Sequence, residues 1–204
     1  TLLSIMNVKR CFFLIILVVL FSNSIYAQEY GKQYEKCSER LKNVNDDSIY
    51  ILRLLEKDSC LIGVTAPNFK ASTINGHTIE LHKLKGQVVF LNFWGTGCGP
   101  CVEEIPGFNK LVSHYAGKKV KFIAIGSDKV PDLKKFLKTI PFNFLQIAES
   151  EKIYEEVFKL SEGIPYTIII DKFGKIYKMC LGSAGDLSFS FYENLIDNCL
   201  SGKQ

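Results

Sequence analysis

The chain has 204 residues, 47% of them hydrophobic, with 25 lysines and arginines against 21 acidic residues and a formal net charge of +4. This is apolar material for one good core with a short extension, which excludes a disordered chain and a membrane bundle. Lysines are scattered among acids, as in Glu149-Ser150-Glu151-Lys152; a solvated surface looks like this, whereas a nucleic-acid partner would ask for a clustered basic face.

In chain order, Met6-Asn7-Val8-Lys9-Arg10 is basic, Cys11 to Phe21 is unbroken apolar sequence, and Ser22 to Ala27 is small and polar. The pattern is that of a secretory signal peptide over residues 1–27, with Met6 as initiator and cleavage after Ala27. The apolar run is shorter than the roughly 20 residues of a spanning helix, so an uncleaved anchor is the lesser alternative. Cys11 precedes the run instead of following it, against a lipoprotein cleavage box. Cleavage would take away Lys9 and Arg10 and no acid, leaving 23 basic residues against 21 acidic.

Residues 28–60 form an N-terminal extension. Tyr30, Tyr34, Cys37 and Leu41 recur at helical spacing, a polar break runs from Asn43 to Ser48, and Ile49, Leu52 and Leu55 resume the pattern. Two short amphipathic helices are expected, their apolar stripe packing on the chain's own domain rather than facing a partner. From residue 61 strands and helices alternate. Lys70 to Ile79, broken by Asn75-Gly76, reads as a hairpin, and Val88 to Phe93 as a strand covered on both faces. A helix follows from about Cys98 to Tyr115, bent by Pro106, with Val102, Ile105, Leu111 and Val112 inward. Next come a strand over Val120 to Gly126, a helix over Pro131 to Thr139, a strand over Phe142 to Ile147 and a helix over Lys152 to Leu160. Tyr166 to Asp171 and Lys175 to Leu181 form a hairpin across Lys172-Phe173-Gly174, and a helix over Asp186 to Leu200 ends the pattern. Alternation of this kind gives an α/β sandwich around a mixed sheet.

Six cysteines remain after Ala27, in a compartment that a signal peptide would make oxidising. Cys98 and Cys101 stand in C-x-x-C at a strand-to-helix junction, where helix-end N–H groups stabilise a thiolate. The spacing alone leaves redox chemistry, half a zinc site and a structural disulfide all open. For the other four, two pairings are open: Cys37 with Cys60, tying the extension to the domain, and Cys180 with Cys199, stapling the last helix to the last strand. The alternative is that they are small buried hydrophobes.

The flanks narrow the choice. Asn92-Phe93-Trp94 before the pair, Gly99-Pro100 within it and Pro106 after it resemble the active-site strand, loop and kinked helix of the thioredoxin superfamily. Gly163-Ile164-Pro165-Tyr166-Thr167, followed by Ile168-Ile169-Ile170-Asp171, resembles its cis-proline loop and next strand. Ala66-Pro67-Asn68-Phe69, the Asn75-Gly76 turn and Leu81 to Gly86 are similar to the ResA and TlpA branch of thiol-disulfide oxidoreductases.

The resemblance implies a thioredoxin-like domain over residues 61–204: a mixed sheet flanked by helices, an N-terminal hairpin and a helix-strand-helix insert over Pro131 to Leu160. It assigns catalysis to Cys98 as attacking thiol, Cys101 as resolving thiol, Glu104 as a buried base beneath them and Pro165 in cis. Thioredoxin itself has an aspartate at the position of Asn92, so that acid is missing here. Glu104 lies one turn past Cys101 on the inward side, while Glu103, about 100° away around the helix, is the surface residue. Substrate contact falls to Trp94 as a wall of the site rather than core, to Gly99 and Pro100, and to the Ile164 backbone. Many thioredoxins carry a second tryptophan where this chain has Gly97, which leaves Cys98 more open. No cofactor and no metal are implied. The expected partners are disulfide-containing exported proteins, apocytochrome c among them, and a membrane thiol donor, with no nucleic acid. Gly-Pro between the cysteines matches the reducing end of the family.

Other readings are weaker. Peroxiredoxins share the Ala66-Pro67 opening but place Thr three residues before their cysteine and Pro four before that, where this chain has Gly95 and Leu91. A copper carrier would want C-x-x-x-C and a distant histidine, yet His77, His82 and His114 lie away from the Pro165 loop. An oxidase or isomerase is the runner-up; a non-catalytic binding module would lack one of the two cysteines, and a metal carrier holding Cu(I) or Zn on Cys98 and Cys101 is the minor alternative.

Overall fold

The computed structural model describes residues 28–39 and 58–203. Expectations for the signal peptide and for the second extension helix lie outside those residues.

Five strands build the central sheet in the order β5-β4-β3-β6-β7, with β3 Val88–Trp94, β4 Val120–Gly126, β5 Leu145–Ile147, β6 Tyr166–Ile170 and β7 Ile176–Leu181. β3, β4 and β5 run parallel, while β6 is antiparallel to β3 and β7 to β6. All seven residues of β3 are buried, because helices or loops cover both faces. A separate hairpin pairs β1 Lys70–Ser72 with β2 Thr78–Glu80.

The period of two along β3 divides the core. Val89, Leu91 and Phe93 face one side with Tyr30, Phe69, Phe158 and Ile168; Val88, Phe90 and Trp94 face the other with Phe108, Leu111 and Ile196. On the second side Phe90 meets the rings of Phe108, Phe122, Phe144 and Tyr192 with centroids 5.0 to 5.7 Å apart.

The helices are α1 over residues 28–39, α2 Gly99–His114, α3 Val130–Thr139 and α4 Ser188–Ser201. α1 does pack on its own domain: Tyr30 is buried, and its hydroxyl donates to the Phe158 carbonyl at 2.7 Å. A Cys37–Cys60 disulfide fastens it. α2 and α4 meet closely at Gly107, where an added Cβ would come within 2.9 Å of Ser188 Cβ.

Three expectations need correction. The stretch 152–160 is not a regular helix. It makes a short turn whose Ile153–Val157 part is π-wound, with Phe158 N–H donating to the Ile153 carbonyl, and it stops at Lys159, whose φ is +52°. That i to i+5 bond puts Ile153 and Phe158 on one face, where both are buried. The strand at 142–147 shrinks to β5, because Phe142 and Phe144 leave the sheet to stack on Phe108 and Asn109 holds Pro141 and Asn143 instead. Finally, Cys180 and Cys199 are both free thiols. Cys180 is half-buried on β7 and Cys199 buried on α4, each packed in the apolar cluster on that side of the sheet.

Candidate active site

β3 delivers the chain to the loop Gly95–Cys98, and α2 begins immediately after it. Cys98 is the N-cap: its Sγ accepts the Cys101 backbone N–H at 3.3 Å, with Gly99 and Pro100 as exposed first residues of the helix. Cys98 and Cys101 are joined as a disulfide, Cα to Cα 5.2 Å. Cys98 is half-buried and Cys101 only 2% exposed, so an approaching sulfur reaches Cys98 first. The donor at a helix N-terminus stabilises negative charge on that sulfur once the pair is reduced.

The Ile164–Pro165 peptide is cis, and the Ile164 carbonyl oxygen lies 3.8 Å from Cys98 Sγ. Residues 66 positions apart in sequence thus form one surface. Ile164 itself is 41% exposed beside the disulfide.

Glu104 is fully buried one turn behind Cys101. Its Oε1 accepts from the Ala184 N–H at 3.0 Å and the Ser188 hydroxyl at 3.1 Å; its Oε2 has no partner among the described residues. Burial pushes this carboxyl above the ordinary glutamate range, and the hydrogen bonds from Ala184 and Ser188 pull back against it. Glu103 is exposed. Asn92, also buried, donates to Thr167 Oγ1 at 3.2 Å, and Tyr192 Oη donates to the same oxygen at 3.3 Å. Beside Glu104, the Cys180 thiol is pushed up to about 11, mainly by burial.

Trp94 is not a wall in place of core. It is 2% exposed, packed against Phe136 and Phe142, because β3 extends one residue further than expected and pairs Trp94 with Gly126. One edge still borders a groove that runs to Ile164. At Gly97 an added Cβ would meet nothing within 4 Å, consistent with an open approach to Cys98.

Three supports were not found from sequence. The Asp128 carboxylate accepts from Thr96 twice, from the backbone N–H at 3.0 Å and the hydroxyl at 2.5 Å, and so holds the loop two residues before Cys98. Its place just past the carboxyl end of β4, beside the exit of β3, was the available signal. Tyr154 Oη clasps Gly163, accepting its N–H at 2.8 Å and donating to its carbonyl at 2.7 Å. Tyr166, next to Pro165, donates its hydroxyl to Asp58 at 2.5 Å. Nothing local marks either tyrosine.

Residues 62–179 match the AhpC/TSA family. Thiol-disulfide oxidoreductase ResA of Bacillus subtilis is 34% identical over 151 residues, covering 73% of this chain and 83% of that protein. The ResA of Bacillus cereus is 39% identical, over 62% of this chain and 73% of its own length. Among solved structures, a Chlorobium tepidum protein assigned as thiol:disulfide interchange protein DsbE superposes with a TM-score of 0.62 at 28% identity, over 68% of this chain and 97% of its own. The thioredoxin domain of a Bacteroides vulgatus thiol-disulfide oxidoreductase gives 0.57 at 25%, over 66% and 97%. With a C-x-x-C disulfide at a helix start and a cis-proline loop against it, the chain belongs to the thioredoxin-like AhpC/TSA family, in its ResA-like branch of thiol-disulfide oxidoreductases.

Proposed function

We propose that this enzyme is exported and reduces disulfides in extracytoplasmic proteins. The Cys98 thiolate attacks one sulfur of a substrate disulfide, the substrate S–S bond breaks, and the other sulfur leaves as a thiolate. Cys101 then attacks Cys98 in the mixed disulfide, closing the Cys98–Cys101 bond and releasing the second substrate sulfur. The substrate gains two electrons and two protons, and the enzyme's dithiol loses them. Cys101 must ionise inside the protein for the second step, and Glu104 is the group that takes its proton. Pro165 in cis keeps the Ile164 backbone free to pair with an extended substrate segment.

The observation that carries the assignment of roles is the contrast in exposure within the pair, half-buried Cys98 against 2% for Cys101. Export is supported by the basic, apolar and small-residue succession over residues 6–27. The reducing direction is supported by Gly99-Pro100 between the cysteines. A reductant in an oxidising compartment must be recharged, so a membrane thiol donor is its upstream partner; exported proteins such as apocytochrome c are the downstream class. The test is the reduction potential of the mature protein against glutathione. A value toward the thioredoxin end, about −270 mV, supports a reductant; one near the DsbA end, about −120 mV, makes it an oxidase.

A further inference from the structure

Beside the disulfide runs a groove of about 170 Å³ that the exchange chemistry does not use. Its apolar sides include Trp94 and Ile164, and its rim carries Tyr154, Glu151 and Glu155. Two backbone bonds build it, Ser150 N–H to the Gly126 carbonyl at 3.0 Å and Glu149 N–H to the Asp128 carbonyl at 3.2 Å, which set the start of the π-wound turn against the end of β4. The clasp of Tyr154 on Gly163 joins that turn to the cis-proline loop. The groove is therefore fixed relative to Cys98.

We propose that this groove is a specificity subsite for a basic side chain, Lys or Arg, next to the target cysteine of the substrate. Its volume is below the roughly 300 to 1,000 Å³ of small-molecule pockets and suits one side chain of an extended segment. Glu151 and Glu155 are both exposed, make no ion pair among the described residues, and meet no basic side chain lining the groove. A lysine or arginine stem lies well along the Ile164 side chain and the Tyr154 phenol while its charged head reaches out to the carboxylates. The second observation is Trp94 Nε1, a buried donor with no acceptor among the described residues. It lies beside Gly126 of the groove, where a Cβ would come 3.7 Å from it and 3.1 Å from the Trp94 carbonyl oxygen, so only glycine keeps that side clear of a side chain. A carbonyl of the bound segment supplies the acceptor.

This subsite rests on the oxidoreductase reading above, and the test separates the two. Disulfide peptides that differ only in Lys, norleucine or Glu beside the cysteine are presented to the reduced protein, and the matching dithiols to the oxidised protein, with hydroxyethyl disulfide as a side-chain-free substrate. The Lys peptide should exceed the Glu peptide in kcat/KM by about ten-fold at low salt, falling several-fold near about 0.5 M salt as the charges are screened. Glu151→Gln with Glu155→Gln should bring the ratio to about one, while the distant Glu29→Gln keeps it. A wild-type ratio near one, or a ratio that survives the double substitution, overturns the subsite. Exchange only in the oxidising direction overturns the reductant reading, and the Lys to Glu ratio measured in that direction still decides the subsite.

Discussion

Two disulfides lie among the described residues in different settings. Cys98–Cys101 spans three positions at a helix start, with one sulfur half-exposed and an N–H aimed at it. Cys37–Cys60 spans 23 positions and fastens α1 to the domain, with Cys37 1% exposed. The same bond is thus placed once at a helix start facing the cis-proline loop, and once between α1 and the domain, where Cys60 is half-buried and Gln33 Nε2 donates to both sulfurs at 3.7 and 3.6 Å. The helix start and the cis-proline loop facing it, rather than the bond itself, separate chemistry from stapling. The free thiols extend the contrast: burial pushes Cys180 up to about 11 and Cys199 up to about 12, so neither ionises near neutral pH.

The largest effect that would break this comparison is at Cys98. Cys98→Ala should reduce disulfide-reductase activity to background with the fold intact by circular dichroism; residual turnover would mean another thiol can replace it. Next is the staple. Losing Cys37–Cys60 through Cys37→Ala with Cys60→Ala should cost about 3 kcal/mol in urea denaturation, the loop-closure value for this span, and leave the Cys98–Cys101 potential unchanged. A shifted potential would show that the staple reaches the active site.

Glu104→Gln sharpens the account of resolution. It should slow turnover at neutral pH by about ten-fold and remove one limb of the pH profile, while Glu103→Gln changes little. The sign for stability follows from the raised carboxyl. The folded state holds the Glu104 proton more tightly than the unfolded chain, so its contribution is present below the ordinary value of 4.5 and lost as pH rises through the folded value. Urea midpoints should therefore decline over that window in the wild type and stay flatter in Glu104→Gln. Parallel curves would show Glu104 to be an ordinary acid. The smallest effect is at the free thiols: with both pushed up by burial, native oxidised protein lacking residues 1–27 should take up no iodoacetamide at pH 8, and the same protein denatured two equivalents, at Cys180 and Cys199.

Much of this was legible because it is local. Val120 to Gly126 is a strand end to end, β3 departs from its reading by one residue, and the spacing that put Glu104 one turn behind Cys101 placed it in the interior. What was not legible depends on distant partners. Asp128 meets Thr96 across 32 positions, and the Cys180 environment is set by strand register against Thr167. The stretch 152–160 has a helical pattern, but burial of Phe158 against Tyr30, Phe69 and Phe93 selects the wider turn. Trp94 reads as a site residue from its position and turns out to be core with one edge on a groove.

The most direct test of the division of labour is peptide mapping of a trapped adduct. Reduced Cys101→Ala is mixed with a disulfide substrate, quenched in acid and digested, and the mixed disulfide located by mass spectrometry. The account predicts one adduct, on Cys98, and no stable adduct when Cys98→Ala is treated alike. An adduct on Cys37, Cys60 or Cys180, or efficient trapping on Cys101 in Cys98→Ala, would contradict it.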